Sequence, residues 1–191
     1  LGVAALGFAE PNMPMGDVYI VYEPWSSSAL GGDGIVGVTE SWVYPALALV
    51  PRVLTHAFAW LGGYPVGWAL FVTGCNALAF WMLVGSGRSM GRTIAAWFWL
   101  GFIALLGPVG MYRIDAVTVP IAIAGCLWRF GRPRVAAARF TIGAWVKVWP
   151  AALFVAALIV ARRRLSVLIV GLVVSVSVVV TPTLKVSVSL T

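Results

Sequence analysis

From residue 42 onward the chain is a succession of apolar runs divided by arginines, and this pattern narrows the possible folds more than any other feature. The runs cover 42–61, 66–85, 93–110, 116–128, 140–161 and 165–180. A helix crossing a bilayer needs about 20 predominantly apolar residues, whereas runs of about 10–14 serve as re-entrant or interfacial pieces. Hydrophobic residues make up 61% of the chain and charged ones 10%, against about 25% charged in a soluble domain. The expected fold class is an all-α integral membrane bundle, with 1–191 as one transmembrane domain. The net charge of +7 does not point to nucleic acid, because the arginines sit between apolar runs, where those of RRR and GRPR read as topology determinants and contacts to anionic membrane lipids.

Two runs carry internal breaks. Pro51-Arg52 divides 42–61, and Lys147-Val148-Trp149-Pro150 divides 140–161. Proline removes a backbone donor, and a charge at the bilayer centre costs about 2.5–3.5 kcal/mol on insertion scales. If all six runs span, Arg88, Arg92, Arg129, Arg132, Arg134 and Arg139 share a side with the acidic segment 10–44, and Arg162, Arg163 and Arg164 lie opposite. If the two broken runs dip in and return, all nine arginines become cytoplasmic and the acids lie outside. The positive-inside rule selects the second arrangement. It makes 42–61 a semi-embedded element, 66–180 a set of transmembrane helices, and 140–161 a re-entrant hairpin bent near Trp149-Pro150.

The segment 10–44 is the one long polar stretch, and it holds Glu10, Asp17, Glu23, Asp33 and Glu40, five of the six acidic residues. It is expected to be a long first external loop. Ahead of it, LGVAALGFA reads as the end of a hydrophobic segment that begins upstream, and TPTLKVSVSLT reads as a second cut end, so a fragment truncated at both termini is expected. Cys75 and Cys126 both fall inside apolar runs and are expected to be separate buried thiols.

In this topology the outer side gathers Asp17, Glu40, Arg52, His56, Arg113, Asp115 and Lys147. Ionisable groups at a membrane edge are expensive, and each is a functional candidate for that reason. A carboxylate can take a proton from a nucleophile, and cations can hold a phosphate. Asp17, after Gly16 and before Val18-Tyr19-Ile20-Val21-Tyr22, is either the base or a turn or helix cap. Arg113 and Asp115 are either a local salt bridge or substrate contacts. Lys147, flanked by valines beside Trp149-Pro150, either snorkels to an interface or meets a phosphate. His56, the one histidine, reads first as a satisfied buried ring; Arg52 reads as a headgroup anchor or a phosphate ligand. Trp42, Tyr44 and Pro45 read as an interfacial anchor.

No Walker-type loop, HExxH, CxxC or GxSxG is present, and GGDG at 31–34 lacks the strand and lysine of a nucleotide loop. No DxD pair stands ready for a metal and a nucleotide sugar. Four stretches taken in order, GDVYIVY, WVYPALALVP, YRIDAVTVPIAIAG and GAWVKVWPAALFVAALIVARRR, resemble the glycosyltransferase 87 family. That family comprises polyprenyl-phosphate-mannose-dependent alpha-mannosyltransferases of the GT-C superfamily.

The resemblance implies a GT-C-like multi-pass helical bundle, with Asp17 matching the catalytic aspartate of the first external loop. Lys147, Trp149 and Pro150 match the family's lysine–aromatic–proline hairpin, and Arg113 and Asp115 match the segment before it. It implies an inverting transfer of a hexose, mannose in that family, from a polyprenyl-phosphate-sugar donor to a glycolipid or cell-envelope glycan. The reaction faces outward across the cytoplasmic membrane and uses no metal or other cofactor. Arg52 and His56 are further candidates at the leaving phosphate. The rival expectations are a transporter-like protein, with Lys147 and Arg113 in a conduction path, and a non-catalytic multi-pass membrane protein.

Overall fold

The computed structural model describes residues 1–9, 14–32, 44–85, 87 and 89–189, with side chains up to residue 180. The readings made above for Glu10, Asp33, Glu40, Trp42 and Arg88 lie outside these residues. Every regular element among the described residues is helical. The chain runs through α1 (Gly2–Leu6), α2 (Glu23–Gly31), α3 (Leu49–Thr55), α4 (Tyr64–Val84), α5 (Met90–Leu106), α6 (Pro108–Tyr112), α7 (Asp115–Trp128), α8 (Pro133–Val146), α9 (Pro150–Val160) and α10 (Arg164–Ser189). The all-α expectation therefore holds. By length and composition one described helix, α4, is long and apolar enough to cross a membrane.

Prolines and glycines set most boundaries. Pro108, Pro133 and Pro150 open α6, α8 and α9 at their first positions, where a missing N–H costs nothing. The 147–150 break falls where the sequence puts it. The 93–110 run, in contrast, is cut at Gly107, whose φ of +63° turns the chain between α5 and α6. The Pro51-Arg52 break is corrected: α3 runs through both residues. Pro51 lies in the first turn of α3, after a 3₁₀ turn at Ala46–Ala48, where no N–H is required of it. The helical path continues through a second 3₁₀ stretch, His56–Leu61.

The segment expected to be a loop also contains structure. Val18–Tyr22 is a π-helical turn running directly into α2. Pro24 in the first turn of α2 has no N–H to offer Ile20, and the ladder widens by one residue, so the Glu23 amide bonds the Val18 carbonyl five residues back. Ser26 then donates to the Tyr22 carbonyl at 2.6 Å.

The packing runs through α7 and α8. α7 lies between α4 and α8, and α8 lies between α7, α9 and α10. At Gly125 on α7 an added Cβ would stand 2.5 Å from the Phe140 ring of α8, so this crossing needs a glycine. The core between α1, α4, α6 and α7 is filled by Trp68, Tyr22, Tyr112, Met15 and Val72, all fully buried. Proline inside α7 shapes the junction further. Pro120 cannot donate to the Ala116 carbonyl, and Asn76 of α4 supplies the missing donor at 3.2 Å. Asn76 also accepts from the Trp99 indole of α5 at 3.2 Å, which ties three helices to one buried amide.

The expected thiols are separate, but their burial is corrected. Both cysteines are free, but Cys75 is only partly buried and Cys126 is exposed near the end of α7, where it lines a cavity. Large apolar side chains also face outward around the bundle, among them Trp60, Trp81, Trp97, Phe98, Leu105 and Val160.

Candidate active site

The start of α7, the α8–α9 bend, the π-turn and α3 bring five of the seven candidate residues into one network, all but His56 and Glu40, which lies outside the described residues. Asp17 sits at the entry of the π-turn with no capping hydrogen bond from its side chain. Its carboxylate instead forms an ion pair with Arg113, 96 residues later in the chain. The capping reading is thereby corrected. The local Arg113–Asp115 salt bridge is corrected too, because Asp115 turns the other way. One Asp115 oxygen takes Lys147 Nζ at 3.1 Å and the other takes the Trp149 indole N–H at 3.0 Å. A helix start suits an acid, since the positive end of the α7 dipole lies at Asp115. Both ion pairs are partly open to solvent: Asp17 and Asp115 side chains are 27% and 40% exposed.

Tyr22 joins the two pairs from below. It is fully buried against Trp68, with ring centroids 4.7 Å apart, and its hydroxyl accepts from the Ile114 N–H at 3.0 Å. Ile114 lies between Arg113 and Asp115, so this one bond fixes the segment carrying both charges. Burial pushes the Tyr22 hydroxyl well above the usual tyrosine range, with Tyr44 and Asp17 adding to the effect. It stays a neutral phenol.

Arg52 lies deeper than expected. The headgroup-anchor reading is corrected, because the side chain is fully buried. Its guanidinium sits 4.4 Å from the Tyr22 ring centroid and 4.3 Å from that of Tyr44, with Trp25 further out at 5.9 Å. Stacking on aromatic faces is a property of the flat, weakly hydrated guanidinium. Burial pulls its pKa down, and Tyr22, Tyr44, Tyr64 and Asp17 oppose that shift. Lys147 Nζ stands 5.9 Å from the same Tyr44 ring. A closed circuit results, from Asp17 to Arg113, through the Ile114 amide to Tyr22, across Arg52 and Tyr44 to Lys147, and back to Asp115.

His56 is the candidate set somewhat apart. Its Nε2 lies 2.8 Å from the Ser26 hydroxyl and its ring tilts on Tyr64 at 4.8 Å. Ser26 also reaches the Tyr22 and Glu23 carbonyls, at 2.6 and 3.1 Å, and when its proton goes to either of them it accepts from His56. His56 has a partner, as the sequence suggests, but is only partly buried, and it braces the 3₁₀ stretch after α3 against α2.

Beside the circuit an apolar groove of about 500 Å³ runs between α3, α4, α7 and α8. Its lining includes Pro51, Val117 and Val146, within two residues of Arg52, Asp115 and Lys147, and also Met82, Trp128 and Arg139. The opposite end of the bundle is arginine-rich. Arg92 turns onto the last carbonyls of α4, and Arg129, Arg162 and Arg163 surround a single cavity where α7, α8 and α9 end or begin.

Tyr22, Ser26 and Asn76 were not singled out by sequence. The Tyr22–Ser26 spacing of four is a weak hint of one helical face, but nothing local announces the partners of Tyr22 or Asn76. Among the described residues no three His, Cys, Asp or Glu side chains gather as a metal site would require. Compared with protein-family models, with curated proteins and with solved structures, the chain matches none of them.

Proposed function

We propose that the chain is the catalytic part of a multi-pass membrane glycosyltransferase of the GT-C type, moving a hexose from a polyprenyl-phosphate-sugar to a lipid-borne or envelope acceptor. One observation carries the reading. The two described carboxylates that stand beside cations, Asp17 and Asp115, lie at one end of the bundle next to an apolar groove, away from the arginine-rich end. An anionic head on a greasy tail fits that pairing of cations with a groove. The outward-facing tryptophans and leucines suit lipid, since a soluble monomer rarely shows large contiguous apolar patches. The α8–α9 hairpin supports the re-entrant reading: its bend carries Lys147, while Arg129 and Arg162 meet at its other end.

In the reaction, Asp17 takes the proton of an acceptor hydroxyl as that oxygen forms its bond to the anomeric carbon. The bond from that carbon to the phosphate oxygen breaks on the opposite face, and its electron pair leaves with the polyprenyl phosphate. Arg113 and Lys147 are the exposed cations able to meet the departing charge, with Arg52 adding its field from beneath. The Asp17–Arg113 pair gives an order to these events. A phosphate that draws Arg113 to itself releases Asp17 to act as base, so donor binding precedes proton transfer. Positioning two membrane-held reactants at one edge supplies part of the rate.

Membranes carrying the protein, supplied with radiolabelled polyprenyl-phosphate-mannose and a glycolipid acceptor, provide the test. Asp17→Asn should lower transfer by about 100-fold or more while donor binding persists. Full turnover in Asp17→Asn would refute the base. A non-catalytic clamp is the rival that the two ion pairs favour; it predicts no transfer by the unmodified chain and a loss of thermal stability in Asp17→Asn.

A further inference from the structure

The cavity at the arginine-rich end is chemically unlike the rest of the molecule. It measures about 680 Å³, has Arg129, Arg162 and Arg163 among its lining, and is otherwise walled by residues such as Phe140, Leu153 and Val167. No salt bridge to these three arginines occurs among the described residues, and the described carboxylates Asp17, Glu23 and Asp115 belong to the far end or to α2. Three guanidinium groups around one hollow repel each other until an anion joins them. An apolar wall directly beneath them excludes a simple hydrated ion as the best occupant.

We propose that this cavity is a binding site for an anionic phospholipid, its phosphate held by Arg129, Arg162 and Arg163 and one acyl chain lying along the apolar wall. Charge complementarity selects an anionic headgroup, and the Phe140–Leu153–Val167 surface selects a hydrocarbon tail over a soluble phosphate. The site lies at the ends of α7 and α9 and the start of α8, so an occupant bridges α7 to the base of the α8–α9 hairpin that carries Lys147. The inference rests on the membrane half of the reading above and is independent of sugar transfer.

The full chain in nanodiscs supplies the test. Cys126 lines the same cavity and is exposed, so its alkylation by N-ethylmaleimide reports occupancy. Alkylation should be slower in phosphatidylglycerol than in phosphatidylcholine discs, and native mass spectrometry should show retained phosphatidylglycerol. The triple variant Arg129→Gln/Arg162→Gln/Arg163→Gln should lose roughly 100-fold in affinity, at about a factor of five per arginine. Ala156→Trp fills the cavity without altering charge and should also release the lipid, which keeps the test sound if the triple variant folds poorly. Arg132→Gln/Arg134→Gln, outside the cavity, should retain it. Equal protection by phosphatidylcholine, equal loss in the outside pair, or full competition by millimolar glycerol phosphate would each overturn the site. Release of the chain from membranes by alkaline carbonate would instead overturn the membrane reading itself.

Discussion

Tyr22 shows how much of this site depends on one side chain that carries no charge. Its hydroxyl satisfies the Ile114 amide, its ring lies under Arg52, and its backbone carbonyl receives Ser26. Tyr22→Phe keeps the ring and the cation–π contact but leaves the buried Ile114 N–H without an acceptor. That loss should cost about 1–3 kcal/mol in thermal or denaturant unfolding, and it should lower transfer by loosening Arg113 and Asp115 together. The phenol's raised pKa has a pH consequence of definite sign. A group whose folded pKa exceeds its unfolded value near 10 contributes stability that is complete below that value and lost above it. Unfolding midpoints should therefore be flat with respect to Tyr22 through neutral pH and fall on the alkaline side of pH 10, and Tyr22→Phe should flatten that fall.

Among the elements, α4 and α7 are joined by an exchange between a proline and an amide. Pro120 takes a hydrogen bond away from Ala116, and Asn76 returns one from the neighbouring helix. Asn76→Leu should cost about 1–3 kcal/mol, because the Ala116 carbonyl and the Trp99 indole both lose a partner. Pro120→Ala restores an N–H at the position that can reach Ala116, so the double variant Asn76→Leu/Pro120→Ala should recover part of the loss. A double-mutant cycle measures that coupling, and strict additivity would contradict the exchange. The α7–α8 crossing has a different basis. Gly125→Val must displace the Phe140 ring and should cost about 1–3 kcal/mol as overpacking.

For the whole molecule, the proposed topology makes a prediction that chemistry in intact cells can check. Single cysteines at Arg132 and Arg163 should label from the cytoplasmic face, and one at the exposed Val148 of the α8–α9 bend from the outside. Labelling of Arg132→Cys and Arg163→Cys from opposite faces would mean that α8 and α9 do not form a returning hairpin. The arrangement also separates two kinds of electrostatics. One end pairs its cations with carboxylates, and the other leaves arginines around a hollow.

Apolar periodicity and proline placement determine most of the element list, since burying twenty apolar residues and starting a helix at proline are local matters. The helical class and the bend at Lys147–Pro150 were legible in this way, and the distribution of arginines put Asp17, Arg113, Asp115 and Lys147 on one side. Partner choice was not, because it depends on distances between segments far apart in the chain. The sequence offers Asp115 as one local partner for Arg113, yet Arg113 reaches back to Asp17, and Asp115 reaches forward to Lys147. Arg52 has no nearby acid to announce it, and only the approach of the π-turn and the segment at Tyr44 turns it from a surface cation into a buried one stacked on two tyrosines. Charge type and helix ends are written along the chain; which charge meets which is decided by packing, because an ion pair or a stacked guanidinium gains its energy only over a few ångströms.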